Sequence, residues 1–572
     1  MKRILFFVHY NKYNNLAEYV IYLLQYIKHL YSRIVFISNS LLDEQQKLKL
    51  AGICSSIIVR ENKGFDFGAW KDALLQEGWD NLAVYDNITL MNDSCFGPLC
   101  DMETVYNRME QQDIDFWGIT DYMAENAGMP GTNGPLPYHI QSYFMCFNNK
   151  IIRAETFRNF WEKVKYEKKL NKVIQKYETQ LTSILKKGNY KSTVLFKSSD
   201  EINNISFCYP DIGIINSSPL VKIKSFLYFS YPKYLLQLIQ NKTSYPVSLI
   251  IDYFSDVYDP SILFTITDRT LLAESSPNND ALIFLPKIAI HLHVFYMDVF
   301  EKYAAVFDNW TIKYHLFITT DTPEKKQIIV DYLQNHPSYE NLEEIFVLKN
   351  YGRDVLPWLS IADKLNAYDI VGHFHTKKTL SSNSYIGLSW QQNLFDLLLV
   401  PINTIIDVFN TNKKVGIVIP DIPHFFQLNP IIASKEKKLK KSMKKLWKTM
   451  NCKKELDFRD ISAFIFSYGT MFWYRPSALR PLFELRTEDI DIPEEPLPMT
   501  CILHGIERLL VYIAWSEGYD CRISKHTVPQ LSAFHNNMVV NKYIEKIKNS
   551  KDYKVGKFIL MIPRFIKRIL LG

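Results

Sequence analysis

Apolar runs and stretches with helical spacing alternate from the beginning of the chain. Patterns of buried strands occupy residues 3–9, 34–40 and 57–59, and a helical pattern at 16–31 separates the first two. Strands that alternate with helices predict a parallel sheet, because parallel strands need a crossover connection. We expect ligand contacts at the carboxyl ends of these strands.

The same order of patterns restarts at Pro286, which indicates an internal duplication. The run 287–296 mirrors the first strand, with His293 in the place of His9, and 314–321 mirrors 34–40. Later segments pair in the same order, namely 415–421 with 117–121, 469–474 with 142–147, and 506–518 with 177–188. The sequence therefore predicts two tandem α/β domains, 1–275 and 276–535, followed by a tail at 536–572.

One motif, N-x-G-x-D-x-x-x-W, occurs once in each half, at 62–70 and 350–358. Each copy follows an apolar, β-branched run and precedes a helical pattern. The glycines allow the backbone to approach a ligand, and the following helix presents its positive end, so the turn suits a phosphate or a nucleotide. The alternative is a structural turn in which Asp66 and Asp354 cap the helix. Two copies favour a ligand site.

The loops that end the fourth strand of each half differ in charge. Asp93 follows the apolar run 88–91 in a loop bounded by glycine and proline, which suits a carboxylate that binds Mg²⁺ or Mn²⁺ on a diphosphate. Such a loop is also a common turn. The second half has His375, Thr376 and Lys377, with no acidic residue. A lysine can neutralise a diphosphate directly, so this site is expected to be metal-independent, unless the segment is only a solvated basic loop.

Composition excludes several classes of protein. With 47% apolar and 22% charged residues, the 572-residue chain is typical of globular proteins of more than one domain. Eight cysteines without C-x-x-C pairs argue against a zinc site and a disulfide framework. No apolar run reaches the roughly 18 to 20 residues of a membrane span, so we expect a cytoplasmic or peripheral protein. The net charge of +7 is mild for this length, and no nucleic acid is expected as a partner.

These landmarks resemble the rhamnan synthesis protein F family, bacterial glycosyltransferases that build rhamnose-rich cell-surface polysaccharides. The most specific segments are 61–70, 91–98 and 375–378, and the resemblance runs from Lys2 to about Phe534. Each half is also similar, more distantly, to inverting nucleotide-sugar transferases of the GT-A fold. The resemblance implies a rhamnosyltransferase with dTDP-L-rhamnose as donor and a growing lipid-linked glycan as acceptor.

The resemblance also implies roles for individual residues. Glu178 and Glu507, each near the start of a helix that a glycine follows, become candidates for the base that deprotonates the acceptor hydroxyl. Asp93, with or without a divalent cation, and the pair His375 and Lys377 would stabilise the leaving diphosphate. The donor-binding candidates are His9, Asn62, Gly64, Asp66 and Asp93 in the first half and His293, Asn350, Gly352, Asp354, His375, Thr376 and Lys377 in the second.

Three interpretations stay open at this point. Asn92-Asp93-Ser94 keeps one carboxylate of the D-x-D motif usual in such transferases, and the second half keeps none. Two active sites of different linkage are expected if both halves work. One catalytic half with a glycan-binding half, or a carbohydrate-binding scaffold without turnover, are the alternatives. His9 and His293 either touch the nucleotide or are structural histidines.

The end of the chain predicts an amphipathic helix. Its basic residues fall within one arc at helical spacing and leave a broad apolar face; they are Lys554, Lys557, Arg564, Lys567 and Arg568. Such a helix lies in an anionic membrane interface, so we expect the protein on the inner face of the cell membrane. A helix docked on the body of the protein is the alternative. A lysine-rich segment at 435–454 is expected to be a solvated surface helix.

Overall fold

A computed structural model describes most of the chain and divides it into two compact units. The described residues are 1–125, 135–199, 202–274, 286–376, 384–423, 426, 436–459, 461, 463–486, 490, 492–493, 497–498, 500–526 and 533–556. Unit 1 comprises Met1–Phe254, and unit 2 begins at Ser255.

Unit 1 contains the strands of the first half of the repeat. They are β1 (Arg3–His9), β2 (Arg33–Ser38), β3 (Ser56–Val59), β4 (Asn87–Asn92), β5 (Cys95–Phe96), β6 (Phe116–Tyr122), β7 (His139–Ile140), β8 (Phe144–Asn148), β9 (Ser192–Phe196) and β10 (Val221–Lys222). Its helices are α1 (Glu18–Ile27), α2 (Glu44–Ala51), α3 (Phe65–Glu77), α4 (Trp79–Leu82), α5 (Met102–Glu110), α6 (Asn149–Ile152), α7 (Glu155–Lys163), α8 (Leu170–Val173), α9 (Thr179–Lys187), α10 (Ile205–Cys208), α11 (Pro210–Ile215), α12 (Ser225–Tyr228), α13 (Pro232–Lys242) and α14 (Val247–Val257), which runs across the boundary. A 3-10 turn, Lys28–Leu30, follows α1, and a π turn, Ile174–Glu178, precedes α9.

The main sheet of unit 1 has the order β3-β2-β1-β4-β8-β6-β7, and β9 pairs with β6. Strands β1 to β4 are parallel, whereas β8 runs antiparallel to both β4 and β6. The central strands are buried on both faces, which explains why β1 and β4 are nearly continuous apolar runs.

Unit 2 repeats this arrangement with its own elements. They are α15 (Pro260–Ile266), β11 (Thr270–Leu272), β12 (Ile288–His293), α16 (Met297–Phe307), β13 (His315–Thr320), α17 (Pro323–Leu333), β14 (Leu342–Val347), α18 (Val355–Ser360), α19 (Ala362–Leu365), β15 (Ile370–His375), α20 (Ser384–Leu398), α21 (Ile402–Thr411), β16 (Val415–Pro420), α22 (Lys437–Thr449), β17 (Phe472–Tyr474), α23 (Arg480–Phe483), α24 (Ile502–Ser516), β18 (Asp520–Lys525) and α25 (Ala533–Asn549), with 3-10 turns at Pro337–Asn341 and Pro476–Leu479.

The sheet of unit 2 has the order β14-β13-β12-β15-β17-β16-β18-β11. Strand β17 runs antiparallel to β15 and β16, as β8 does to β4 and β6. The matching order confirms the expected α/β fold of two tandem Rossmann-like domains. The units divide earlier than the sequence-based boundary at 275/276. Strand β11 explains part of this difference, since it pairs with β18 at the edge of the second sheet.

The tryptophan that ends each repeated motif is a core residue. Trp70 and Trp358 are fully buried, and their indole N–H groups donate to the Phe6 carbonyl at 3.3 Å and to the Tyr474 hydroxyl at 2.8 Å. Each tryptophan therefore fixes the helix after its turn against the sheet, which explains its place in the motif.

The lysine-rich segment forms α22, as its pattern predicts. Its apolar residues lie on one stripe and are buried, namely Leu439, Met443, Leu446 and Trp447. Most of its lysines are exposed. The helix is thus an integral part of the core of unit 2.

Helix α25 accounts for the first part of the predicted tail, and residues 557–572 lie outside the described part of the chain. Within the described ranges, no single helix is long and apolar enough to cross a membrane. One bent pair of helices, Tyr385–Leu398 with Ile402–Thr411, satisfies the same test by length and composition alone.

Candidate functional site

The two copies of the repeated turn share an unusual backbone. Gly64 and Phe65 have φ values of 75° and 53°, and Gly352 and Arg353 have 74° and 55°. Two successive left-handed residues are costly for a non-glycine side chain, so the second position carries strain in both units. The shared conformation supports a common role for the turn.

The aspartate of the turn contacts the end of the fourth strand. The Asn92 side chain donates a hydrogen bond of 2.8 Å to Asp66 Oδ2. Asp66 lies in the first turn of α3 and Asp354 precedes α18, yet neither side chain forms a capping hydrogen bond. The capping alternative is therefore wrong, because the Asp66 carboxylate faces β4 instead of the backbone N–H groups of its own helix.

Asp93 is half-buried beside this pair. Its Oδ2 accepts a hydrogen bond of 2.9 Å from the Tyr10 backbone N–H, and the Tyr19 hydroxyl donates to its backbone carbonyl at 2.6 Å. Burial raises the pKa of Asp93 to about 8, and the neighbouring carboxylate of Asp66 adds to this rise. The side chain thus holds a proton near neutral pH.

Glu178 reaches the same region from the π turn before α9. Its Oε1 accepts a hydrogen bond of 3.1 Å from the Ser142 backbone N–H, where the chain enters β8. Burial raises the pKa of Asp66 to about 6; the Glu178 carboxylate raises it further, while the Asn92 hydrogen bond and the Lys224 charge oppose the rise. Glu178, Asp66 and Asp93 therefore share one electrostatic environment. Short π turns are frequent at functional sites.

Two lysines complete the region, and the sequence reasoning missed them. Lys222 belongs to β10, whose residues pair with β5 directly after Asp93, and Lys224 follows two residues later. Burial lowers the pKa of Lys222, which the nearby Cys95 thiol and the Glu178 carboxylate oppose. The signal in the sequence was the alternation of apolar and cationic residues over 221–224, although the strand itself ends at Lys222.

His9 lies on the face of the sheet opposite the Trp70 cluster. It is buried, its Nδ1 lies 3.1 Å from Ser38 Oγ, and its ring stacks on Phe36. Side chains alternate along a strand, so the neighbours Phe6 and Val8, which join the Trp70 cluster, face away from His9. Burial lowers the pKa of His9 to about 4. These contacts describe a structural histidine.

The expectation that His293 takes the place of His9 is wrong by one position. Val8 pairs with Asn92 in unit 1, and His293 pairs with His375 in unit 2. In unit 1 the Asp93 backbone N–H donates to the Val8 carbonyl, and in unit 2 the Thr376 backbone N–H donates to the His293 carbonyl. His293 therefore matches Val8, His375 matches Asn92 and Thr376 matches Asp93. A shift of one residue exchanges the faces of a strand, which the sequence pattern did not resolve.

Thr376 plays the structural part of Asp93. Its Oγ1 accepts hydrogen bonds from the backbone N–H groups of Phe295 at 2.8 Å and Tyr296 at 2.9 Å, as Asp93 accepts one from Tyr10. Thr376 is buried, whereas Lys377 lies outside the described residues. The loop of unit 2 is thus closed by a hydroxyl in place of a carboxylate.

Unit 2 has a layer of histidines where unit 1 has mainly apolar side chains. His291 Nδ1 lies 2.8 Å from His373 Nδ1, and His293 Nδ1 lies 2.9 Å from Thr319 Oγ1. Asp354 Oδ2 is 3.6 Å from His373 Nε2 and 3.8 Å from His375 Nε2. Burial lowers the pKa of His291 and His373, and it lowers the pKa of His293 to about 4. The layer is therefore largely neutral.

Glu507 occupies the position of Glu178, with different partners. Its Oε1 accepts a hydrogen bond of 2.9 Å from the Gly469 backbone N–H, as Glu178 does from Ser142. Its Oε2 also accepts a hydrogen bond of 2.5 Å from the guanidinium of Arg508, which is buried. Among the described residues, Glu178 has no such ion pair. An ion pair with a buried arginine stabilises the carboxylate and weakens it as a base.

The remaining predicted residues differ between the units. Asn62 is half-buried, and its side-chain oxygen has no hydrogen-bond partner among the described residues, whereas Asn350 is exposed. Within the same ranges, no group of three histidine, cysteine, aspartate or glutamate side chains is arranged to hold a metal ion. One oxygen of the Asp93 carboxylate accepts the Tyr10 N–H, and a single carboxylate does not make a metal site by itself.

Known proteins share parts of this sequence. The chain is 25% identical over 259 residues to the uncharacterized protein WxcX of Xanthomonas campestris pv. campestris (strain B100). This alignment covers 44% of this chain and 35% of WxcX. The chain is 28% identical over 145 residues to the uncharacterized protein y4gN of Sinorhizobium fredii (strain NBRC 101917 / NGR234), which covers 24% of this chain and 35% of y4gN. The chain thus spans little more than a third of the length of these curated relatives.

Among solved structures, the glycosyltransferase GlyE in Streptococcus pneumoniae TIGR4 aligns with 66% of this chain and 86% of its own, with a TM-score of 0.26 and 12% identity. Residues 34–519, a stretch that runs through the sheets of both units, match the family described as Rhamnan synthesis protein F. The chain belongs to the Rhamnan synthesis protein F family.

Proposed function

We propose that this chain is a glycosyltransferase that uses a nucleotide sugar and that unit 1 contains the transfer site. One observation carries the proposal: Glu178 is held by the Ser142 N–H within the electrostatic reach of Asp66, which itself binds the end of β4. Ligands of open α/β sheets bind outside the carboxyl ends of the strands, and this region lies there. Membership of a family named for rhamnan synthesis supports the same reaction class.

Glu178 is the proposed base. It would take the proton from an acceptor hydroxyl while that oxygen attacks the anomeric carbon of the donor. The bond between this carbon and the diphosphate oxygen breaks, and the nucleoside diphosphate leaves with the electron pair. Attack from the face opposite the leaving group inverts the anomeric centre. Because Oε1 is fixed by a backbone N–H, the other oxygen of Glu178 remains for the acceptor.

The description of the family supports the proposed donor and acceptor. A rhamnan is a polymer of rhamnose, so we propose dTDP-L-rhamnose as donor and a lipid-linked glycan as acceptor. We also propose that the protein works on the inner face of the cell membrane, where such an acceptor would lie, and the basic pattern of residues 554–572 supports this proposal.

Unit 2 is proposed to assist transfer without catalysing it. Glu507 is paired with the buried Arg508, so the group that matches the proposed base of unit 1 is weakened. This observation favours one catalytic unit and one glycan-binding unit over two active sites that form different linkages.

The experiment is a turnover assay on the full chain with several nucleotide sugars and a lipid-linked rhamnoside as acceptor. We expect turnover of dTDP-L-rhamnose and a loss of about 100-fold or more in Glu178→Gln, since a general base contributes at least that factor. Glu155→Gln, an exposed glutamate on α7, is the control and should leave the rate unchanged. Folded protein that turns over none of these donors would support the scaffold without turnover.

A further inference from the structure

We propose that Lys222 and Lys224 form the cationic half of a diphosphate-binding site in unit 1. The inference rests on the proposed function, since it assigns the residues that hold the diphosphate of the donor. It also replaces the expectation that Asp93 and a divalent cation do so.

The backbone of the loop brings both lysines to Asp93. Strand β10 is antiparallel to β5, with Lys222 opposite Cys95, and the Ile223 backbone N–H donates to the Ser94 carbonyl at 2.9 Å. Lys222 ends β10, and Lys224 follows in the turn before α12 with a helical backbone (φ −62°, ψ −22°). Val221 and Ile223 are buried, whereas both lysines are at least partly exposed.

The surroundings of the lysines suit an anionic ligand. Lys222 is half-buried, with Nζ 4.8 Å from the centre of the Tyr143 ring, and Lys224 is exposed. In the part of the chain that the structure describes, neither lysine forms an ion pair with a carboxylate. Lys224 nevertheless lies close enough to act on Asp66, and Lys222 close enough to be acted on by Glu178. A half-buried ammonium group without an ionic partner is costly, and a bound anion offsets that cost.

A diphosphate fits this pair better than a single carboxylate. Two flexible ammonium groups close together in the chain can contact two neighbouring phosphate groups, whereas bidentate recognition of one carboxylate is the property of arginine. The diphosphate would then lie between the lysines and the region of Asp66 and Glu178. That order puts the proposed base and the leaving group in one region, as transfer requires.

The test measures binding of inorganic pyrophosphate to the full chain by calorimetry, in buffer with EDTA and in buffer with Mn²⁺. Pyrophosphate contains only the group in question, so the result does not depend on which nucleotide or sugar the protein uses. We expect the wild type to bind in EDTA and Lys224→Met to weaken binding at least tenfold. Lys224→Arg should retain most of the affinity, because it keeps the charge. Lys187→Met, an exposed lysine at the end of α9, should bind like the wild type.

Lys224 is exposed, so its substitution should not prevent folding, and Lys222→Met with a measured melting temperature provides the second variant. The proposal is overturned if wild type does not bind pyrophosphate, if it binds only with Mn²⁺, or if both lysine variants bind like the wild type. Lysine-dependent binding without turnover of any nucleotide sugar would reject the proposed function and leave this site in place.

Discussion

Asn92 donates its side-chain N–H to the Asp66 carboxylate across 2.8 Å, in the position where unit 2 places His375 3.8 Å from Asp354. The aspartate of the repeated turn thus contacts the fourth strand in both units, through an amide in one and an imidazole in the other. In unit 1, burial raises the pKa of the next residue, Asp93, and the nearby charge of Asp66 adds to the rise. Asp93 therefore contributes to the pH dependence of the stability of unit 1.

We predict that Asp93→Asn stabilises unit 1 at pH 8 and has little effect at pH 4. The pKa of Asp93 is about 8 in the folded protein, above its usual value of 3.8. The stability that protonation of Asp93 contributes to the folded state is therefore complete below pH 4 and is lost as the pH rises through 8. Asparagine keeps an acceptor for the Tyr10 N–H without the charge. By the size of this shift, the gain should be on the order of 5 kcal/mol in the free energy of unfolding at pH 8.

Urea unfolding at the two pH values measures this gain. The control is Asp101→Asn, because Asp101 caps α5 with hydrogen bonds that hold its pKa below the usual value. That variant should not be stabilised at pH 8. Equal stability of Asp93→Asn and wild type at pH 8 would contradict the prediction.

Much of the fold follows from the sequence, because periodicity and repetition are local signals. Apolar runs place β1 and β4, and the repeated motif gives both glycine turns. The exchange of faces at His293 did not follow, since a one-residue register difference leaves the apolar pattern almost unchanged. The position of Lys222 near Asp93 did not follow either, because the two residues are far apart in the sequence. The pairing of Arg508 with Glu507 depends on the directions of their side chains. Such contacts require the tertiary structure.

We predict that the glycine turns tolerate no side chain. Gly64→Ala and Gly352→Ala place a side chain at φ near 75°, and the new Cβ of the second variant would lie 2.3 Å from Leu356 Cγ. We expect losses of about 1 kcal/mol for the first and about 2 kcal/mol or more for the second in the free energy of unfolding. Gly52→Ala, with open space around its Cβ, is the control and should be neutral by chemical denaturation. A neutral Gly352→Ala would mean that the turn can adopt another conformation.

We predict opposite effects for the two matched glutamates. Glu178→Gln should reduce transfer strongly with little change in stability. Glu507→Gln should retain most of the activity and lower the free energy of unfolding by about 1 to 3 kcal/mol, since buried Arg508 loses one partner and keeps Glu436 at 3.2 Å. Assays of initial rate and melting temperature on both variants separate the roles. A full loss of activity in a folded Glu507→Gln variant would instead support a second active site.

We predict that residues 557–572 bind anionic membranes. Removing them should lower binding to vesicles with anionic lipids at least tenfold, because each basic residue near such a surface contributes about 1 kcal/mol. Truncation after Gly556 leaves α25 intact. Flotation with neutral phosphatidylcholine vesicles is the control for non-specific binding. Unchanged flotation of the truncated chain on anionic vesicles would contradict the prediction that residues 557–572 bind the membrane.

We predict that unit 2 loses stability in mild acid before unit 1 does. The buried histidines of its sheet, His291, His293 and His373, have pKa values below the usual 6.5. As the pH falls, these histidines therefore take up protons at a higher pH in the unfolded chain than in the folded one. The stability that is present above pH 6.5 is lost as the pH falls toward 4, the pKa of His293. One such histidine costs about 2 kcal/mol between pH 7 and pH 5.

Hydrogen exchange of peptides from β12 and β1 at pH 7 and pH 5 follows the two units separately, after correction for the intrinsic rates. The matched variant His291→Phe/His373→Leu introduces the residues that unit 1 carries at these positions, Phe6 and Leu90. It removes two of the titrating groups, so at least half of the acid sensitivity of β12 should disappear. If β12 opened equally at both pH values in the wild type, or if the variant kept its full acid sensitivity, the histidine layer would not be the cause.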